Sequence, residues 1–225
     1  MTRYYNTAEG GSNGTAVSTG NSGGASGTAF SAVSPGAGGS IVYSNSSSLA
    51  GSLSYLCTPA SGVANYLIWT LPTTATSQFA FRQYLRLTGY PSTTTNWVDL
   101  GHATSGTSVK VNLDTAGVLK VLTGSGNTYR GDVSAAIPLN TAVYYEVAVT
   151  IGTGTAGAVS VRLCNASTNA VIGTYTVSGV DTNTQINRVI PGKFTATGTM
   201  APLDCIMVAV PTSNTWRMLG ALPER

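Results

Sequence analysis

Residues 78–91, QFAFRQYLRLTGYP, constrain the fold more than any other stretch of the chain. From 79 to 87 the odd positions are Phe79, Phe81, Gln83, Leu85 and Leu87, mostly apolar, and the even ones are Ala80, Arg82, Tyr84 and Arg86. A period of two belongs to a half-buried β-strand, whose successive side chains point to opposite faces. At ~3.3 Å per residue the run crosses most of a domain, which predicts a central strand of a large sheet. Thr88, Gly89, Tyr90 and Pro91 then end the ladder.

The same alternation recurs on both sides of this strand. Short runs at 41–43, 52–57 and 63–71 precede it, the last expected to stop at Pro72, and 95–101 follows with Asn96, Val98 and Leu100 on one face and Trp97 and Asp99 on the other. Val109, Val111 and Leu113 lead into Asp114, Thr115, Ala116 and Gly117, a hairpin turn in which Gly supplies positive φ, and 118–122 returns. Val143, Tyr145, Val147, Val149 and Ile151 alternate with Tyr144, Glu146, Ala148 and Thr150. Gly152, Thr153 and Gly154 join them to 159–163, where Ser160 and Arg162 take the polar side. Runs at 170–177, 186–194 and 203–210 complete about a dozen strands, with no window of helical period, so the chain reads as an antiparallel sandwich or barrel.

Composition adds limits. Charged residues make up 8% of the 225 and apolar ones 42%, enough to offset the entropy of ordering. Eleven Lys and Arg are scattered singly, giving a net charge of +3 without the concentrated basic footprint of nucleic-acid binding. No stretch reaches the ~20 apolar residues of a membrane-spanning helix, and no apolar leader follows Met1. A protein that neither inserts into a membrane nor leaves through a cleaved signal is expected. Cys57, Cys164 and Cys205 are odd in number and far apart, which predicts free thiols rather than a disulfide scaffold or zinc site. Residues 1–40 are the most Gly- and Ser-rich part and read either as a flexible arm or, given Phe30 and its apolar neighbours, as an opening segment docked on the sandwich.

FRQYLRLTGYPS, TSVKVNLDTAGVLKVLTGSG, TAVYYEVAVTIGTGTAGAVSVRLCNA and LDCIMVAVPTSNTW, in this order, resemble the laminin-G-like, concanavalin A-like jelly-roll modules of minor tail and other virion proteins of actinobacterial phages. The Gly-rich start is similar as well, so the resemblance runs along nearly the whole chain. It implies an all-β, antiparallel, concanavalin A-like jelly-roll β-sandwich with very little helix, one domain over 1–225, and residues 1–40 largely within it. It also implies a virion location after synthesis in a host cytoplasm, with other capsid or tail proteins as partners and a homo-oligomeric state. Two departures stand out: Val143 occupies a position where the family usually has Trp, and Leu203, Asp204 and Cys205 keep one of two acidic residues. The second weakens a calcium assignment, and no metal or cofactor is expected.

Catalytic groups are sparse. A glycosidase needs two carboxylates ~5–9.5 Å apart across a sugar. Glu9, Asp99, Asp114, Asp132, Glu146, Asp181, Asp204 and Glu224 stand singly, with no two on alternate positions of one strand. The two Gly-x-Ser-x-Gly matches near the N-terminus lie in a Gly- and Ser-rich tract with no strand-turn-helix around them, and His102 is the single histidine. The sequence therefore predicts no catalytic residue and no enzyme. Together with the resemblance, this implies a virion structural protein decorating a capsid or forming a minor tail component, with a lectin-like adhesin for host surface glycans as the alternative and a polysaccharide hydrolase as a remote one. Candidate contacts with a glycan or a protein are Arg82, Tyr84 and Arg86 on the outward face of the central strand, Trp97 beside Asp99, and Tyr90 and Tyr129 near turns. Packing of the same rings on a neighbouring strand or under a loop is the competing reading.

Overall fold

The computed structural model describes residues 3–46, 48, 49, 51–60 and 63–192, together with the backbone of 202–209. Among these, fifteen strands and no helix occur: β1 (Arg3–Asn6), β2 (Ala32–Ser34), β3 (Ser40–Ser44), β4 (Ser54–Thr58), β5 (Tyr66–Ala75), β6 (Gln78–Leu85), β7 (Thr95–His102), β8 (Gly106–Leu113), β9 (Val118–Thr123), β10 (Thr128–Ala136), β11 (Val143–Thr150), β12 (Gly157–Asn165), β13 (Val171–Val180), β14 (Ile186–Pro191) and β15 (Pro202–Ala209). Period-two alternation turns one side of each strand into a continuous apolar surface, and two such surfaces bury one another.

The first sheet runs in the order β13-β12-β11-β6-β15-β4-β3, with β1 paired to β15. The second runs β10-β9-β8-β7-β14-β5-β2, and the pairings in both are antiparallel. β6 lies near the middle of the first sheet, as its length and alternation predict. Phe79, Phe81 and Leu85 enter the core beside Val147 and Val161 from the same sheet, and Leu67, Trp69, Leu100, Val111 and Val121 meet them from the other. The architecture is the all-β, antiparallel, concanavalin A-like jelly roll that the sequence implies.

Three local differences have physical causes. β5 continues through Pro72 instead of stopping there, because its register with β14 jumps from Thr70 to Ala75 and the bulged residues, Pro72 among them, owe no donor to the ladder. β7 carries a bulge at Trp97, which turns that side chain into the core together with Val98. β10 is a strand the alternation does not announce: its sequence TYRGDVSAA sends only Val133 fully inward. The turn between β8 and β9 is as expected, with Gly117 at φ 82° and its N–H donating to Asp114 O at 3.1 Å. Cys57 and Cys164 are free and buried, while Cys205 lies outside the described side chains.

Candidate functional site

Three cross-strand rows occupy the side of the first sheet that faces away from the core. Antiparallel register sets Tyr84 of β6 opposite Tyr144 of β11, which is opposite Cys164 of β12. One step along, Arg82, Glu146 and Arg162 line up; one step further, Ala80, Ala148 and Ser160 do. On β13, Thr174 and Thr176 extend the second and third rows.

The tyrosine row is packed. The rings of Tyr84 and Tyr144 lie 5.1 Å apart, and Leu49 and Ala166 close over them with Cys164. Burial and a bond shared with Cys164 push the Tyr144 phenol above its ordinary range. The Arg82 guanidinium carbon sits 4.8 Å from the centroid of the Tyr144 ring, within cation–π range.

The middle row is an ion triad around a wholly buried carboxylate. Glu146 Oε1 accepts from Arg82 Nε at 2.8 Å and from Arg82 Nη2, and Oε2 accepts from Arg162 Nε at 2.9 Å and from Arg162 Nη2. Each oxygen thus takes two donors of one guanidinium, a charge-assisted arrangement that offsets the cost of removing the carboxylate from water. Burial alone lowers the affinity of Arg82 for its proton, and the Glu146 carboxylate more than reverses this. The Arg162 side chain stays 26% exposed, so the triad meets solvent at that end.

The third row is built of small side chains. A shallow pocket of about 110 Å³ opens there, lined by Ala148, Thr150, Ala158, Val159, Ser160 and Thr176. Its hydroxyls are arranged rather than scattered: Ser160 Oγ and Thr176 Oγ1 are 2.9 Å apart and share a hydrogen bond. Methyl groups and hydroxyls on a rigid sheet, bordered by an arginine, can receive the apolar face and the hydroxyls of a sugar. The pocket is too small to enclose one, so such a ligand lies across it.

The residues singled out in the sequence separate in the fold. Arg82 and Tyr84 come together as outward neighbours, yet each is only 5% exposed. Arg86 follows the end of β6 and is half-buried. Tyr90 is a packing residue: its hydroxyl donates to Ile137 O at 2.8 Å and its ring covers Gly117. Trp97 has no exposed surface, so the expected exposed ring beside Asp99 is corrected by the bulge that turns it inward. Asp99 lies on the outer face of the second sheet, where Asn96 Nδ2 donates to it at 2.9 Å. Tyr129, 55% exposed, donates to Asp132 Oδ1 at 2.9 Å. The acids are also less solitary than in sequence, since Lys120 Nζ lies 3.2 Å from both Asp114 and Asp132. Glu146, Tyr144 and Arg162 were missed as site residues. Their alternation placed them on the outward face, but nothing local indicated which strands would stand beside theirs.

No protein-family model matches the sequence, and no curated protein does. Solved structures do. An endo-β-1,4-glucuronan lyase from the fungus Trichoderma reesei aligns over 95% of this chain and 98% of its own at 11% identity, with a TM-score of 0.66. The exoplasmic/lumenal domain of VIP36, in a form bound to Ca²⁺ and Man2, aligns over 89% of this chain and 88% of its own at 10% identity, TM-score 0.55. The cellulose-induced protein Cip1 aligns over 79% and 88% at 16% identity, TM-score 0.55. At these identities the likeness is one of fold.

The lyase corrects the expectation that the chain is not an enzyme. That inference rested on the lack of two paired acids, a requirement of hydrolysis by a carboxylate pair. A lyase breaks its bond by elimination, and lone acids do not bear on that chemistry. The fold itself carries an enzyme along nearly its full length.

Proposed function

We propose that the protein binds carbohydrate across the outer face of the first sheet, with the pocket at Ala148, Ala158, Ser160 and Thr176 as the point of contact and Arg162 at its border. The observation that carries this reading is the pocket, where hydroxyls and methyl groups are held on a sheet stiffened by the Glu146 triad. A preorganised surface loses little entropy when a ligand settles on it. The Man2-bound neighbour and the glucuronan lyase support the ligand class, since one binds and the other acts on a saccharide. Display on a phage particle, where the ligand would be a host surface glycan, belongs to the proposal and rests on the sequence resemblance alone.

The test is retention of the purified protein on immobilised neutral and acidic polysaccharides, including host cell-wall material. Ser160→Tyr fills the pocket with a residue that suits an exposed strand position. It is expected to weaken retention at least about tenfold, which is ~1.4 kcal/mol, with an unchanged melting temperature. Absence of retention by the wild-type protein at high micromolar concentration would sink the proposal, and equal retention by the variant would move the site elsewhere. The same incubations, followed for shortening of the polymer and for unsaturated ends, show whether binding leads to cleavage.

A further inference from the structure

The outer face of the second sheet holds a second arrangement, unrelated to the pocket. β7 and β8 are neighbours there, with Asp99 opposite Lys110 and Asn96 opposite Asn112. The bulge at Trp97 shifts the register between Asn96 and Val98. It leaves Asn96 and Asp99, three apart in sequence, in contact on one face, where Asn96 Nδ2 donates to Asp99 Oδ1 at 2.9 Å. Lys110 Nζ lies 3.9 Å from that same oxygen. Asp99 is 4% exposed and the Lys110 side chain 19%. The carboxamide oxygen of Asn96 is buried without a hydrogen-bond partner.

An amine, a carboxamide and a carboxylate that bonds the carboxamide and pairs with the amine at 3.9 Å are the reactants and the proton carrier of an amide exchange. We propose that the chain cross-links itself here, forming an amide bond between Lys110 Nζ and Asn96 Cγ. Asp99 takes a proton from the Lys110 ammonium, and the freed amine attacks Cγ. The carbonyl electron pair moves to Oδ1, which has no competing donor and receives the proton from Asp99. When the tetrahedral intermediate collapses, the Cγ–Nδ2 bond breaks, the carbonyl re-forms at Oδ1, and Asp99 relays first the second Nζ proton and then the Oδ1 proton to the departing nitrogen, which leaves as ammonium. The sum is one lysine ammonium and one carboxamide giving one secondary amide and one ammonium ion. Asp99 is regenerated and nothing is oxidised or reduced.

Two features favour the step. Holding amine and amide on adjacent strands replaces a bimolecular encounter with an intramolecular one, for which effective molarities reach about 10⁵–10⁸ M in well-oriented cases. Asp99 Oδ1 is hydrogen-bonded to the Asn96 nitrogen at 2.9 Å and lies 3.9 Å from Lys110 Nζ, so a shift of under ~1 Å in the lysine side chain brings the acid–base group within proton-transfer distance of both reacting nitrogens. Ammonium then diffuses away, so the bond accumulates. The product ties two inner strands of the second sheet side by side.

Intact-mass measurement of the full chain, unreduced and unheated, decides the matter. The expected mass is that of the sequence less one ammonia. Trypsin should then fail after Lys110 and release residues 87–120 as one peptide carrying the deficit, with fragment ions joining Asn96 to Lys110. Lys110→Arg keeps the charge without a competent nucleophile, and Asp99→Asn keeps the shape without the base; both should restore the full mass. A wild-type chain of full mass that is cut after Lys110 overturns the proposal. So does a deficit that persists in Lys110→Arg, or one that maps to Asn112 or to the Asn13-Gly14 step.

Discussion

Glu146 is the residue on which the outer face of the first sheet turns. Its carboxylate has no exposed surface and exchanges water for two guanidiniums, one from each neighbouring strand. A buried ion pair adds little net stability over an apolar replacement, whereas removing one member leaves a charge without compensation. Glu146→Gln is therefore expected to cost ~3–5 kcal/mol, and about 10 °C in melting temperature for a chain of this size. Arg162→Met should cost clearly less, because its guanidinium already meets solvent. Urea unfolding of the two variants measures the order, and equal small losses would mean that the triad is hydrated. Sequence alternation placed Arg82 and Tyr84 outward correctly but could not show them buried. Glu146 is 64 positions from Arg82, and only the pairing of β6 with β11 makes them neighbours.

At the level of strands and turns, local pattern is reliable where one side chain decides the conformation and fails where register decides it. The β8–β9 turn was legible because Asp and Gly have roles no other residues fill as well. Asp114 Oδ1 accepts from the N–H groups of Ala116 and Val118, both at 2.9 Å, and Oδ2 lies 3.2 Å from Lys120 Nζ. Trp97 and Pro72 were misjudged because a bulge inverts the parity of everything beyond it, and bulges leave no period in the sequence. The Asp114 turn also sets a pH dependence. Burial pushes its carboxyl up, but the backbone bonds from Val118 and Ala116 and the Lys120 ammonium outweigh this and hold it below the ordinary carboxylate range. A group whose folded value is depressed stabilises the fold above its unfolded value, ~3.9, and loses that contribution as pH falls through the folded value. Asp114→Ala should melt a few degrees below wild type at neutral pH, the effect of losing ~1 kcal/mol of capping bonds. The gap should close as the pH is taken below about 4. A gap that stays constant down to pH ~2 would show that the carboxylate charge contributes nothing there.

Across the whole molecule, the Gly- and Ser-rich opening stretch completes the sandwich rather than hanging from it. Composition could not decide this, because Gly and Ser suit coil and tight packing equally; the apolar spots at Ala16-Val17 and around Phe30, and the family resemblance, spoke for docking. The segment fills the core with Ala8, Val17 and Phe30, and residues 14–17 run along the outer side of β3, with Val17 N donating to Ile41 O and Tyr43 N to Thr15 O, both at 2.9 Å. An edge that would otherwise offer unpaired backbone groups is thereby covered. Asn6, wholly buried, secures the arrangement from within: Nδ2 donates to Ser22 O at 2.7 Å and Thr28 O at 3.0 Å, while Oδ1 accepts from the Tyr55 hydroxyl. Phe30 stands edge-on to Tyr55 and Trp69, with ring centroids 5.5 and 6.2 Å away, so it bridges the two sheets. Truncating such a ring costs ~3–5 kcal/mol in a core that cannot collapse around the gap. Phe30→Ala should lower the urea midpoint of the entire chain in one cooperative transition, seen equally by tryptophan fluorescence and far-ultraviolet circular dichroism. An unchanged midpoint would restore the flexible-arm reading. A separate early transition would mean that the opening segment folds apart from the two sheets.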